Sequence, residues 1–173
     1  EAAGEAAREG EVVGEAAGLD VAGRAGDCPV GGQVAIVEED AAERGVSVSA
    51  LIAYANHGGE KSLRKLEMRL LEAGVTVTRT SDDLPRYHGK MTIIDGSAYI
   101  LGFNYTLQDI EESRSFGLVT RDKKLVKEAM RLFEADSNRQ PYEPVDKRFV
   151  VSPESSRQRL TEFIKSAKKE LLI

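Results

Sequence analysis

Two short apolar runs, KMTIID and AYILGF, stand either side of Asp95-Gly96-Ser97 and constrain this chain more than any other stretch. Asp-Gly accommodates the positive φ angles of a two-residue turn, so the flanking runs are expected to fold back as an antiparallel hairpin. SFGLVT follows after an irregular NYTLQDIEESR and predicts a third short strand. DKKLVKEAMRLFEAD then has helical spacing, with Leu125, Ala129, Leu132 and Phe133 on its inward stripe.

Upstream of the polar loop TSDDLPRY the pattern differs. QVAIVEEDAAER predicts a helix stopped by Gly45, and VSVSALIAY has the alternation and β-branching of a strand. EKSLRKLEMRLLEAG sets Leu63, Leu66, Leu70 and Leu71 along a helical stripe, with Gly74 at a left-handed cap. VTVTR reads as the next strand. Helix, strand, helix, strand with short connections imply a parallel βαβ arrangement. Together with the hairpin, this predicts an α/β fold: a mixed β-sheet flanked by helices.

Residues 1–32 are dominated by alanine, glycine and glutamate, with glycines interrupting every possible helix. They are expected to form a poorly ordered arm, ahead of a domain at 33–145. Residues 146–173 read as a strand followed by a helix starting near Ser152-Pro153, serine as cap and proline in the first turn. Leu160, Phe163, Ile164, Ala167 and Leu171 give that helix an apolar stripe. The final LLI suggests a buried strand beginning, hence a chain expected to continue.

Charge and residue counts limit the function classes. The net charge is −5, with acidic residues concentrated in the first 60 positions and basic ones in excess over the last third. That balance disfavours broad nucleic-acid binding by counterion release and leaves room for a compact anion site. One cysteine, Cys28, cannot make an internal disulfide, and with two separated histidines it makes no zinc-ligand spacing. No metal and no cofactor are expected. No apolar run approaches the roughly 20 residues of a membrane span, so the chain is expected to be soluble, cytoplasmic or peripheral to a membrane.

Chemistry concentrates in RYHGKMTIIDGSAYILGFNYT, residues 86–106. In an extended segment, side chains at i and i+2 share a face, so the imidazole of His88 and the ammonium of Lys90 project together. A nucleophile or proton shuttle beside a phosphate-binding cation suits phosphoryl chemistry, and Asn104 would add neutral donors from a neighbouring strand. Asp95 also fits as a turn residue, and Tyr87, Phe103 and Tyr105 as packing residues.

HGKMTIID, a His-x-Lys-x4-Asp sequence followed by Gly-x-Asn, resembles the HKD motif of the phospholipase D superfamily. The likeness extends from Gln33 to Ile173, through AAERGVSVSALI, LRKLEMRLLEAGVTV and VVSPESSRQRLTEFIKSAKKELLI. The resemblance implies a phosphodiesterase or phosphatidyltransferase with a phosphohistidine intermediate. It makes His88 the nucleophile or its acid/base counterpart and assigns Lys90 and Asn104 to phosphate oxygens. It also brings Asp95 into the catalytic set as the motif's acid, organising local structure rather than touching substrate.

The partners it implies are a phosphodiester substrate, a phospholipid in preference to nucleic acid, and a second HKD half. That half would come from a missing C-terminal part, the favoured source, or from a homodimer partner. The pattern departs from the family in three places. Gly102-Phe103-Asn104 lacks the usual serine and brings the asparagine one residue early. Ser115 stands where an acidic residue often orients the histidine, leaving Glu111 and Glu112 as carboxylates within range. His57 has Gly59 where a lysine would complete a second motif, and reads as a loop histidine. A non-catalytic phosphate- or lipid-binding half and a nuclease of the same superfamily are the competing expectations.

Overall fold

The computed structural model describes residues 11–16, 38–54, 60–80, 82, 86–106 and 108–173. Six strands form one sheet: β1 Glu11–Ala16, β2 Ser47–Ile52, β3 Thr76–Arg79, β4 Met91–Ile94, β5 Ser97–Leu101 and β6 Gly117–Thr120. Their spatial order is β3-β2-β1-β4-β5-β6. β1, β2 and β3 run parallel, whereas β4 is antiparallel to β1, and β5 and β6 continue that alternation. The expected mixed sheet is what the chain forms, and it changes character at the β1–β4 boundary.

The hairpin follows from its turn. Ile94 pairs with Ser97, leaving Asp95 and Gly96 as the loop at φ 44° and 75°. Both values lie in the left-handed region that a type I′ turn needs. The parallel half is built by helices. A helical segment at residues 38–43 (α1) ends at Gly45, φ 85°, and α2, Glu60–Glu72, ends at Gly74, φ 86°. These glycines take conformations that cost other residues a steric penalty.

Two packed layers cover the sheet. On one face Ala41, Val48, Ala50, Ile52, Leu70 and Val75 form a buried cluster beneath α1 and α2. On the other, Leu51, Met91, Ile93 and Ala98 pack against Val126, Ala129 and Phe133 of α3, Lys123–Ser137. The alternation in β2 sends Val48, Ala50 and Ile52 to one layer and Leu51 to the other, which accounts for its apolar composition. Ile52, Leu51 and Leu70 are fully enclosed, each burial stabilising the fold by about 1.5–3 kcal/mol.

Four expectations need correction. Glu11–Ala16 lies within the stretch read as an arm, yet it is the strand joining the two halves of the sheet. Its consecutive valines are a weak local signal among alanines and glycines, and ladder partners on both sides override low strand propensity. The rest of 1–32, with Cys28, lies outside the described residues. Leu71 was placed on the inward stripe of α2 but is 47% exposed, one helical step past Leu70 and beyond the covered face. Residues 146–151 are not a strand; they have no ladder partner among the described residues.

The last helix, α4, spans Ser156–Lys165 and begins three residues beyond the expected Ser152-Pro153 start. Ser155 precedes it, but its hydroxyl bonds back to the Val151 backbone instead of capping the helix. The expected apolar stripe is present on α4 but uncovered, with Leu160 54% and Phe163 71% exposed.

Candidate active site

β4 begins at Met91, level with Glu15 near the carboxyl end of β1. A hydrogen bond from Leu101 N to Lys90 O (2.9 Å) carries the β4–β5 ladder one residue further back. His88 and Lys90 therefore sit beyond the carboxyl ends of the parallel strands, beside the boundary where the sheet turns antiparallel. β2 lies on one side of β1 and β4 on the other, and open α/β sheets bind ligands outside the carboxyl ends of the strands where strand order switches sides in this way. The segment is fastened from behind by Tyr87, which packs into the α3-side core and donates its hydroxyl to Asp136 Oδ2 at 2.9 Å.

The i, i+2 expectation for His88 and Lys90 agrees with the geometry. Lys90 Nζ lies 2.8 Å from Nδ1 and 2.9 Å from Nε2 of His88, and it donates to the His88 carbonyl at 2.9 Å. An atom that close to both ring nitrogens cannot lie in the ring plane, where it would collide with Cε1. The ammonium sits against the imidazole face near that edge. His88 is exposed, whereas Lys90 is 4% exposed. Burial pulls the Lys90 pKa down to about 8; the charge of Arg86 adds to that shift and Asp109 opposes it. Arg86, exposed two residues before His88, is a second cation in the neighbourhood that the sequence reading left unassigned.

Asn104 meets a carboxylate that sequence reasoning missed. Its backbone N–H and side-chain Nδ2 both donate to Asp109 Oδ2, at 3.0 and 2.6 Å. Asp109 N in turn donates to Thr106 Oγ1 (3.1 Å), at the start of a π-helical turn, Gln108–Glu112. The Asn104 side-chain bond, its backbone bond and the Thr106 bond hold the Asp109 carboxyl below its ordinary range, with the Lys90 charge adding to them. Glu111 and Glu112, which spacing had offered as the nearby acids, are exposed on that turn, and Ser115 is exposed beyond it. The only available cue to Asp109 was its position five residues after Asn104, a local Asx pattern easily read as a plain turn.

Asp95 is not brought to this group. It occupies the far end of the hairpin, five residues of extended chain from Lys90, roughly 16 Å at strand rise. It stands in the turn at φ 44° and fixes hairpin register. His57 lies outside the described residues. Gly102 donates to Phe116 O at 3.0 Å, and a Cβ there would lie 2.9 Å from that oxygen, so the position calls for glycine. Tyr105 shares a hydrogen bond of 3.1 Å with Thr92, the next same-face residue after Lys90, and packs on the α2-side core.

A cleft of about 820 Å³ opens beside the site, between α3 and the segment 148–154. Arg86, His88 and Lys90 line it together with Ile100, Leu118, Leu132, Phe149 and Val150. Among the described residues no three His, Cys, Asp or Glu side chains gather as a metal-ligand set, and no helix is long and apolar enough to cross a membrane.

A mixed sheet carrying a His-x-Lys pair at its parallel–antiparallel boundary is a phospholipase D-like arrangement. The chain belongs to that superfamily: the model of the family described as "Cardiolipin synthase, PLD-like domain" matches residues 33–137. Among solved structures the fold is similar to a polyphosphate kinase from Porphyromonas gingivalis, with TM-score 0.61 and 19% identity over 90% of this chain and 26% of that one. It is also similar to NucT from Helicobacter pylori, with TM-score 0.53 and 17% identity over 75% of this chain and 79% of that one. The chain thus spans about a quarter of the polyphosphate kinase. No curated protein matches it.

Proposed function

We propose that this domain supplies the nucleophile half of a phosphodiester-cleaving or phosphatidyl-transferring site, with a phospholipid-type phosphodiester as substrate. The observation that carries the reading is the buried Lys90 ammonium held 2.8 Å from the exposed His88 imidazole. One imidazole nitrogen attacks phosphorus, a P–N bond forms, and the P–O bond to the leaving alcohol breaks. Lys90 and, once turned to it, Asn104 stabilise the charge on the phosphate oxygens. The leaving alkoxide takes a proton from an acid on a second half, in the same chain or in a second copy. That acid then activates water or an acceptor alcohol, which displaces the imidazole and releases the product.

The test is hydrolysis of bis(p-nitrophenyl) phosphate by this domain joined to its second half, or self-associated. His88→Ala is expected to lower the rate by roughly a thousandfold or more. An unchanged rate in His88→Ala rules the mechanism out. A second reading, an anion-binding half without turnover, is favoured by the engagement of Asn104 with Asp109 and by the absence of a carboxylate at Ser115. It predicts phosphate binding with no product even when both halves are present.

A further inference from the structure

We propose that Asp109 is a positioning residue that occupies the Asn104 amide donors and must release them before Asn104 can hold a substrate phosphate. The proposal rests on the reading of Lys90 and Asn104 as phosphate ligands. Both Asn104 donors converge on one carboxylate oxygen, Asp109 Oδ2, instead of being shared between acceptors. Two N–H groups aimed at a single anionic oxygen form the kind of donor pair that binds a phosphate oxygen, since carboxylate and phosphate present similar acceptors. Asp109 also lies within the field of Lys90, so one carboxylate draws on both groups assigned to the substrate.

The contact is local and reversible in construction. Asn104 and Asp109 are five residues apart, joined by Thr106, whose hydroxyl accepts from Asp109 N and whose carbonyl accepts from Ile110 N at 3.0 Å. Neither Asn104 nor Asp109 is buried. Exchange of carboxylate for phosphate therefore requires a side-chain rotation and a shift of one π-helical turn, with no opening of the core. A ligand must outcompete the tie, so apparent affinity falls by the fraction of molecules in which the donors are released.

A double-mutant cycle tests this with inorganic phosphate as the probe, titrated into the full chain and followed by side-chain amide NMR. Asp109→Asn keeps the shape and a neutral acceptor, and it is expected to tighten phosphate binding roughly tenfold. In an Asn104→Ala background that gain is expected to vanish, because there is no donor left to release. A gain that persists with Asn104→Ala means charge repulsion alone and overturns the proposal. So does no gain in Asp109→Asn while Lys90→Met still abolishes binding. Binding indifferent to Lys90→Met instead overturns the phosphate-site reading beneath it, and no binding by any variant overturns both.

Discussion

Lys90 carries a desolvation cost. The residue is 4% exposed, and its ammonium has no carboxylate within salt-bridge reach among the described residues, so it is held largely by the His88 carbonyl and imidazole. Burial depresses its folded pKa to about 8 from an ordinary 10.5. Between those values the unfolded chain binds more protons than the folded one, so stability is expected to rise with pH across that window. Phosphate binding should run the other way, falling by half near pH 8 as the ammonium is lost. Lys90→Met is accordingly expected to raise the melting temperature at neutral pH while abolishing phosphate binding. Thermal melts and phosphate titrations on the same samples check both. At Gly102 the expectation is opposite: Gly102→Ala pushes a Cβ to 2.9 Å from Phe116 O and should cost about 1–3 kcal/mol by urea denaturation. His88 and Lys90 could be read from the sequence because an i, i+2 pair needs only an extended backbone. Asp109 could not, since its partner is set by how the chain after β5 curls and not by strand spacing.

At the scale of elements, the segment after α3 is held by buried electrostatics. Glu128 is 5% exposed and accepts from Tyr142 Oη at 2.9 Å, Val145 N at 3.1 Å and Arg131 at 2.9 Å. Burial alone would raise its pKa; those three bonds outweigh it and leave the carboxyl below its ordinary value. A depressed carboxyl stabilises the fold above about pH 4.5, and that contribution is lost as pH falls through the lower folded value. Glu128→Ala leaves the Tyr142 hydroxyl and the Val145 N–H without their acceptor and is expected to destabilise by about 1–3 kcal/mol, read from chemical denaturation. Arg148 adds an outer clasp, reaching Asp122 and Asp146 at 2.7 Å each. Phe149 and Val150, next to Arg148 in the chain, line the cleft. None of this was visible in the sequence, where residues 146–151 suggested a strand. A strand is defined by its neighbour, and here the neighbour is a helix. The hairpin and α3 were legible because Asp95-Gly96 and the spacing of Leu125, Ala129 and Phe133 encode their own geometry locally.

The whole molecule places the His88–Lys90 pair where two kinds of sheet meet. β1 is the hinge of that arrangement: parallel to β2 on one side, antiparallel to β4 on the other, it brings the βαβ half against the hairpin that delivers His88 and Lys90. Its six residues lay in the stretch with the weakest sequence pattern, so the fold class was legible while the strand at its centre was not. A proline inserted at Val13, which pairs with Ser49 and Ile93, is expected to split the two halves and unfold the domain. Circular dichroism would show that loss of structure directly. The uncovered stripe of α4 and the single His-x-Lys pair are both consistent with a site completed by a second half, as the proposed mechanism requires.

That mechanism stands or falls on a covalent bond to His88. The most direct measurement is to quench the assembled enzyme during turnover of a phosphodiester and map any added phosphoryl group by mass spectrometry under alkaline conditions, in which phosphohistidine survives. A phosphoryl adduct on His88, absent when Lys90 is methionine, is the result expected. Turnover with no adduct at His88, or with the adduct on another residue, would contradict the account.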